Sequence, residues 1–232
     1  MLPVSAGIDR LLMPHFLNFL PNLLEGAAVT VAILLLATVL AVIFAFAAGL
    51  ARLSGRSAVR IPAVMFVEFF RGTSALVQLF WIYFVLPFFG IHIPAMAAAV
   101  VALGLNTGAY GAEIVRGAVL AVPKGQYEVA TAFNFSPYKR MRYIILPQAI
   151  PAMIPAFGNL LIELLKATSL VSLITVGDIT YKSILYITNT MKITEIFIVI
   201  LLVYFFLAQI ITFLMKKIEL QVTHGLDYGG IQ

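Results

Sequence analysis

The sequence contains no cysteine and few charged residues. Without cysteine the chain can form no disulfide and no thiolate metal site, and it has no cysteine nucleophile. Asp, Glu, Lys and Arg make up 11% of the 232 residues, whereas an ordinary soluble domain has about 25%. A soluble domain needs a charged surface, and a disordered chain has few apolar residues. Because 62% of the residues are hydrophobic, the composition excludes both classes and predicts that lipid surrounds most of the chain.

Residue patterns for catalysis, metal binding and nucleotide binding are also missing from the sequence. The three histidines, His15, His92 and His224, are too far apart for a metal-ligand spacing. No glycine-rich phosphate-binding motif occurs, and no carboxylate pair or activated serine has a recognisable catalytic spacing. We therefore expect no catalytic residue, no metal and no cofactor in this chain. The net charge of +5 is typical of basic residues that flank membrane spans, so we expect no nucleic-acid partner.

Long uncharged runs predict five transmembrane helices in an all-α membrane protein. A span needs about 20 apolar residues, and residues 26–51 and 196–215 each supply one. Residues 72–112 are also uncharged, but they contain Pro87, Gly90 and Pro94 and are divided between two spans. The predicted spans lie at about 24–51, 61–86, 94–120, 148–174 and 195–217, with the fourth broken at its start by Pro151 and Pro155. Residues 1–232 then form a single transmembrane domain.

The distribution of Lys and Arg predicts the orientation of these spans, because cytoplasmic loops are enriched in positive charge. One side of the five-span arrangement carries Arg52, Arg56, Arg60, Arg116, Lys124, Lys139, Arg140, Arg142, Lys216 and Lys217. The other side carries only Arg10, Lys182 and Lys192. We therefore expect the N-terminus outside, and the C-terminus and loop 121–147 in the cytoplasm. Residues 177–195 are expected outside, as a short interfacial helix.

Loop 121–147 is predicted to contain two short helices. The first covers about 126–133 and stops at Asn134, which tolerates the left-handed conformation that ends helices. Ser136 and Pro137 begin the second as N-cap and first helical residue, and Pro147 is expected to end it. The two apolar faces are Val129, Ala132 and Phe133, and Met141, Ile144 and Ile145. Such a pair fits either a protein partner or a layer of lipid headgroups, and periodicity leaves both open.

Several motifs resemble those of permeases in ATP-binding-cassette importers. The loop resembles their EAA signature, which is E-A-A, a glycine four residues on, then I-x-L-P. It does so through Glu128-Val129-Ala130, Asn134 and Ile145-Leu146-Pro147. Three further stretches are similar to the polar amino acid subfamily: Phe70-Arg71-Gly72-Thr73 with Leu76-Val77-Gln78, Asn106-Thr107-Gly108-Ala109-Tyr110 with Ala112-Glu113-Ile114 and Arg116-Gly117, and Lys166-Ala167-Thr168-Ser169-Leu170. Together they cover about residues 60–178 in the family's order.

The resemblance implies a permease subunit of an importer for amino acids or amino-acid-derived solutes in the bacterial cytoplasmic (inner) membrane. Its implied partners are a second permease subunit in a homodimer or heterodimer, two cytoplasmic ATPase subunits and an extracytoplasmic solute-binding protein. ATP and Mg²⁺ would be held by the ATPases, so this chain is expected to be no enzyme, and access to a small polar substrate would alternate across the membrane. The alternatives are a permease for a compatible solute or opine, and a passive channel or structural membrane subunit.

The EAA resemblance also implies which residues couple the permease to the ATPase. These are Tyr127, Glu128, Ala130, Thr131, Phe133, Asn134 and Ser136. Two departures from the family pattern have different expected effects: the first should leave the hairpin turn intact, and the second should alter the second span. Asn134 replaces the glycine, and we expect the turn to survive because asparagine also adopts the left-handed conformation. Ser74-Ala75 replaces Pro-Leu and removes the proline that would favour a kink in the second span.

Three acidic residues are each followed, three positions later, by a basic residue inside or near the membrane. An unpaired charge there costs about 2.5–3.5 kcal/mol. Glu68 with Arg71 and Glu113 with Arg116 are predicted to be structural ion pairs; Glu163 with Lys166 lies deeper. The predicted substrate pathway consists of Gln78, Asn106, Tyr110, Glu163, Lys166, Thr168 and Ser169. Gln78, Asn106 and Lys166 could donate to a carboxylate, and Glu163, Thr168 and Ser169 could accept from an ammonium. Interhelical hydrogen bonding is the alternative role of such residues.

Overall fold

The computed structural model describes residues 4–223, and side chains within residues 19–223. The side chains of Arg10 and His15, and His224 as a whole, lie outside that range. Across the described residues the secondary structure is helical, without a strand. The helices are α1 Val4–Arg52, α2 Ser57–Gly72, α3 Ala75–Phe80, α4 Ala95–Ala121, α5 Lys124–Ala132, α6 Pro137–Arg140, α7 Leu146–Ala167, α8 Ile179–Thr190 and α9 Ile193–Thr223. The end of the molecule that carries α5 and α6 is called the hairpin end below, and the opposite end the far end.

Four stretches within residues 4–223 are long and apolar enough to cross a membrane as single helices. They are Phe19–Arg52, Ala95–Ala121, Pro137–Ile174 and Ile193–Thr223. A fifth crossing is available only if Ser57–Gly72 and Ala75–Phe89 together form one span, bent by 104°. The fold is therefore the expected all-α membrane architecture, with four candidate spans, or five if the bent pair is one span.

The second span is not the continuous helix predicted over 61–86. Helix α2 ends at Gly72, and Thr73 and Ser74 are extended, with ψ angles of 155° and 135°. The Thr73 hydroxyl donates to the carbonyl oxygen of Phe69 at 2.8 Å, a local bond that competes with helix continuation. The bend thus forms without the family's proline, because a glycine and two residues with hydroxyl side chains favour chain reversal there.

The fourth span is continuous, contrary to the prediction that Pro151 and Pro155 break it. Both prolines lie inside α7, and Pro147 does not end the preceding helix, since α6 runs into α7 through a π-helical turn, Met141–Ile145. In that turn the N–H of Leu146 donates to the carbonyl of Met141, five residues back. The wider turn relieves the clash that a proline ring makes with the preceding turn of a regular helix.

Helices α1 and α4 pack at the centre of the bundle with their backbones in close approach. A Cβ atom on Gly108 would lie 2.9 Å from Phe44 Cβ and 3.1 Å from the Ala41 carbonyl oxygen. On α1, a Cβ atom on Gly49 would lie 2.8 Å from the carbonyl oxygen of Ala112. Small residues therefore allow the two helices to touch, as in other helical membrane proteins. This contact holds α4, which carries several of the candidate site residues.

Helix α8 lies at the far end and confirms that residues 177–195 include a short helix. Its N-cap is Asp178, whose Oδ1 accepts the N–H of Tyr181 at 2.8 Å. The N–H of Ile179 donates to the Thr30 hydroxyl of α1 at 3.3 Å. Gly26 allows this approach, because a Cβ atom there would lie 2.9 Å from the Asp178 carbonyl oxygen. The start of α8 is thus fastened to α1.

The Asp178 carboxyl is buried with one unpartnered oxygen. Its side chain has no exposed surface, and Oδ2 has no hydrogen-bond partner among the described residues. The nearby charged side chains on α1 and α8, Glu25 and Lys182, pair with each other at 2.8 Å. Burial, only partly offset by hydrogen bonds to the α8 backbone and Thr180, raises the pKa of Asp178 from 3.8 to about 6. The ionised form is therefore disfavoured in the folded chain.

We expect Asp178 to make the folded protein more stable at acidic pH than at neutral pH. Between pH 3.8 and about 6 the folded state binds more protons at this site than the unfolded state. Its contribution to the free energy of unfolding therefore falls as pH rises through that window and is constant above it. Asp178→Asn should remove this slope in thermal unfolding of the purified protein. Glu128→Gln, at an exposed carboxylate, should keep it, and an unchanged slope in Asp178→Asn would contradict the assignment.

Candidate functional site

A cavity between α4 and α7 gathers three of the seven predicted pathway residues. Its volume is about 210 Å³. Its lining consists of Leu103, Asn106, Thr107 and Tyr110 from α4, and Leu160, Glu163, Leu164 and Ala167 from α7. Glu163 is the one charged side chain of that lining, and the remaining surface combines an amide, a hydroxyl and a phenol with aliphatic groups. Such a surface can receive a small solute that has a positive group and an apolar part.

The other four predicted pathway residues do not line this cavity. Gln78 lines a second, largely apolar cavity of about 220 Å³ beside the break in the second span. The hydroxyls of Thr168 and Ser169 donate to carbonyl oxygens of their own helix, those of Leu165 and Lys166, at 2.6 and 2.8 Å. Within residues 19–223 no ion pair joins Glu163 to Lys166. An ion pair spaced i, i+3 stabilises a helix by only about 0.2–0.5 kcal/mol. This free energy is too small to ensure that the two side chains form a contact.

Two amide side chains hold the break in the second span. The amide nitrogen of Gln78 donates to the Phe70 carbonyl at 2.9 Å and to the Thr73 hydroxyl at 2.6 Å. The amide nitrogen of Asn106 donates to the same carbonyl at 3.0 Å and to the Gln78 side-chain oxygen at 3.1 Å. The Phe70 carbonyl lies in the last turn of α2, where a helix lacks internal donors. Two of the three donors expected for a substrate carboxylate, Gln78 and Asn106, are therefore engaged within the protein.

Glu113 is the centre of an ion cluster that joins three helices. The Nε–H of Arg116, on the same helix, donates to its Oε2 at 3.0 Å, and Nη2 of Arg116 lies 2.9 Å from the same oxygen. Arg52 at the end of α1 donates to its Oε1, and Arg71 at the end of α2 lies 3.8 Å from the same oxygen. Glu68 lies 3.5 Å from Arg52. The i, i+3 pair of Glu113 with Arg116 thus forms, whereas Glu68 contacts Arg52 in place of the predicted Arg71.

The chain reverses between α5 and α6 through a capped turn. Asn134 has a φ of 56°, in the left-handed region. Its N–H donates to the Thr131 carbonyl at 2.9 Å, and the N–H of Phe135 donates to the Ala130 carbonyl at 3.0 Å. This pair of bonds is the Schellman motif. The Ser136 hydroxyl accepts the N–H of Lys139 at 3.4 Å, so both predicted caps are present and Asn134 serves where the family pattern has glycine.

The α5–α6 hairpin is fastened to the spans on one side only. The Tyr127 hydroxyl donates to the Val119 carbonyl in the last turn of α4 at 3.0 Å. The amide of Gln148 on α7 donates to the Gln126 side-chain oxygen at 3.3 Å, and Ala130 is fully buried. These contacts make the hairpin an extension of α4 and α7, the two helices that line the cavity.

The apolar side of α5 predicted from the sequence, Val129 with Ala132 and Phe133, faces away from the bundle. Val129 is 52% exposed and Phe133 75% exposed, and Ala132, Glu128, Thr131, Asn134 and Ser136 are also exposed. Tyr127 and Ala130, and not Val129, make the contact of α5 with the bundle. The second predicted face is confirmed, since Ile145 is buried and Met141 and Ile144 pack beside it.

Comparison with known proteins agrees with this arrangement. A family model described as binding-protein-dependent transport system inner membrane component matches residues 41–224. The chain is 44% identical over 212 residues to the "Probable amino-acid ABC transporter permease protein y4tF" of Sinorhizobium fredii, with 89% of each chain covered. It is 36% identical over 202 residues to the glutamine transport system permease protein of Escherichia coli, with 86% of this chain and 92% of the relative covered.

A solved structure described as an amino acid ABC transporter with histidines has the same fold. The two chains are 34% identical and superpose with a TM-score of 0.83, over 89% of this chain and 96% of the other. The family match covers well over half of the sequence and ends beyond α9. This chain therefore belongs to the family of binding-protein-dependent transport system inner membrane components, and it is a permease of the amino-acid ABC transporter type.

Proposed function

We propose that the cavity between α4 and α7 is the passage site for a small amino acid carried into the cell. The observation that supports this most directly is the position of Glu163, the one carboxylate in a lining that also holds Asn106 and Tyr110. A carboxylate attracts the ammonium group that every amino acid carries. The volume of about 210 Å³ is below the roughly 300–1,000 Å³ of sites for drug-sized ligands, which favours one small solute.

The lining also favours a primary ammonium over a quaternary one. Sites for quaternary ammonium groups are cages of several aromatic rings. Among the residues that line this cavity, Tyr110 is the one aromatic side chain. A compatible solute with a quaternary nitrogen is therefore the less suitable cargo, and an amino acid or a derivative with a free ammonium is the better match.

The exposed face of the α5–α6 hairpin is the proposed docking surface for a cytoplasmic ATPase subunit. It presents Val129 and Phe133 to solvent on a helix that is capped and held against the spans. Closure of two ATPases around ATP and Mg²⁺ would then move the hairpins, and with them α4 and α7, as rigid bodies. This chain would contribute no catalytic group to ATP hydrolysis.

The remaining partners and the orientation follow from this assignment. A second permease subunit, either another copy or a related chain, would complete the pathway, and a solute-binding protein would deliver substrate at the far end. The hairpin end carries the larger share of Lys and Arg, which supports a cytoplasmic location for that end, with the N-terminus outside. The membrane would be the bacterial inner membrane.

Uptake into proteoliposomes tests the proposed function. The chain, purified with its partner permease and ATPases, is reconstituted with ATP inside and the cognate solute-binding protein outside, and each radiolabelled standard L-amino acid is offered. We expect at least one to accumulate only when ATP and binding protein are both present. Equilibration without ATP would indicate a passive channel, and accumulation of none of the amino acids would contradict the proposed cargo.

A further inference from the structure

The lining of the amino-acid cavity has no positive partner for the carboxylate of its cargo. Its lining contains Glu163 but no Lys or Arg. The amide nitrogen of Asn106 already donates to a backbone carbonyl and to Gln78. An amino acid enters with a carboxylate as well as an ammonium, and a carboxylate removed from water needs a positive or hydrogen-bonding partner. A cation close to the lining would supply one.

Arg71 lies at the hairpin-facing edge of this cavity. Its guanidinium carbon is 5.3 Å from the centroid of the Tyr110 ring, and Tyr110 lines the cavity. The same guanidinium is 3.8 Å from Glu113, one helical turn beyond Tyr110 towards the hairpin end. Its side chain is 38% exposed. Arg71 thus stands between the cavity and the cytoplasmic end proposed above.

Arg71 is the least firmly held member of the Glu113 cluster. Arg116 and Arg52 each donate a hydrogen bond to Glu113, and Arg116 also forms a close ion pair with it at 2.9 Å. Within residues 19–223 Arg71 makes no side-chain hydrogen bond, and its ion pair is the longest of the three. Both oxygens of Glu113 are therefore satisfied without Arg71.

The cluster also holds more positive than negative charge. Three arginines, Arg52, Arg71 and Arg116, face two glutamates, Glu113 and Glu68. Charged residues within membrane proteins are costly unless they are paired or line a pathway. A surplus cation beside a passage for anionic groups fits this rule. Among the three arginines, Arg71 is the one that makes no side-chain hydrogen bond within residues 19–223.

We propose that Arg71 receives the carboxylate of the amino acid as it passes the Tyr110 edge of the cavity, while Glu163 attracts the ammonium. This inference rests on the proposed function of the cavity as an amino-acid passage. The planar guanidinium can give two parallel N–H donors to one carboxylate. No covalent bond or proton is exchanged. Glu113, with Arg52 and Arg116, holds the end of α4 in place while Arg71 turns between Tyr110 and the cargo.

Binding of amino acids and of their α-carboxamides separates this role from a structural one. The purified permease–ATPase complex is titrated, without binding protein, with each standard L-amino acid and with its α-carboxamide, which keeps the ammonium but lacks the carboxylate. Arg71→Gln should weaken binding of the amino acid by roughly 10-fold or more and leave the carboxamide nearly unchanged. Arg71→Lys should lose less, because it keeps the charge without the planar fork.

Arg116→Gln is the matched control, because it removes the same charge from the same cluster at a side chain bound to Glu113. It should lower thermal stability without discriminating between the amino acid and its carboxamide. If Arg71→Gln weakens both ligands equally, or neither, Arg71 is a structural residue and the inference fails. If the unsubstituted complex binds no amino acid, the proposed function fails, and the inference fails with it.

Chemical labelling gives a second readout, since the natural chain has no cysteine. In Arg71→Cys the introduced thiol is the only one in this chain. A mixture of the standard L-amino acids should slow its reaction with a methanethiosulfonate reagent more than a mixture of the α-carboxamides. A reagent that attaches an ethylammonium group should restore part of the binding of amino acids, whereas one that attaches an ethylsulfonate group should not. Equal protection by both mixtures would overturn the assignment.

Discussion

Glu163→Gln is expected to lower the affinity of the assembled importer for its amino acid by about 100-fold. A hydrogen bond to a charged group contributes about 1.5–3 kcal/mol, and Glu163, an exposed side chain, is the one carboxylate of the cavity lining. The substitution keeps the size of the side chain and should leave the fold and the ATPase contact intact. Isothermal titration of the permease–ATPase complex and ATP-driven uptake measure the two consequences.

A second glutamate provides the control for this experiment. Glu219 lines a separate cavity of about 280 Å³ between α7 and α9, which also contains Asn159 and Lys216. Glu219→Gln removes the same charge from the same polypeptide and should leave affinity and uptake unchanged. Equal loss in both variants would show that the net charge of the chain, and not the cavity carboxylate, sets the affinity.

The converse substitution adds a carboxylate beside Glu163. Ala167 lines the same cavity and lies in the stretch Lys166-Ala167-Thr168-Ser169-Leu170 that resembles the polar amino acid subfamily. Glu163 and the proposed partner Arg71 together carry no net charge, which suits a neutral zwitterion, and a further carboxylate would suit an amino acid with a cationic side chain. Ala167→Asp should therefore shift binding towards arginine and lysine relative to glutamine. Unchanged preference would show that position 167 does not set cargo charge.

Phe133→Asp is expected to release the ATPase from the permease. Phe133 is 75% exposed at the end of α5, and aromatic anchors in protein interfaces commonly contribute 2 kcal/mol or more. A carboxylate in its place should reduce the amount of ATPase that co-purifies by about 10-fold or more and abolish uptake. Stability of the permease alone should hardly change, because the ring makes little contact with its own bundle.

An equally exposed phenylalanine at the far end is the matched control. Phe88, in the turn Leu86–Phe89 that follows α3, is 88% exposed. Phe88→Asp makes the same chemical change on the side where the ATPase is not expected, and it should leave co-purification intact. If Phe88→Asp released the ATPase while Phe133→Asp did not, both the docking surface and the proposed orientation would be wrong.

Several features of the fold and of the site could be predicted from the sequence because they depend on neighbours in the chain. The membrane spans follow from uncharged runs, since lipid excludes charge from a helix surface. The turn of the hairpin follows from Asn134 and the start of α6 from Ser136 and Pro137, since capping requires only residues a few positions apart. The pairing of Glu113 with Arg116 is local for the same reason.

Other features required contacts between distant parts of the chain, and these only the tertiary structure decided. The bend of the second span depends on Asn106, which reaches the Phe70 carbonyl from another helix. The inward face of α5 was decided by Tyr127 and Ala130 fitting against α4 and α7, although Val129 and Phe133 are more apolar. Hydrophobic periodicity shows that a helix has an apolar side, but it does not show whether that side is buried by the same chain or kept for a partner.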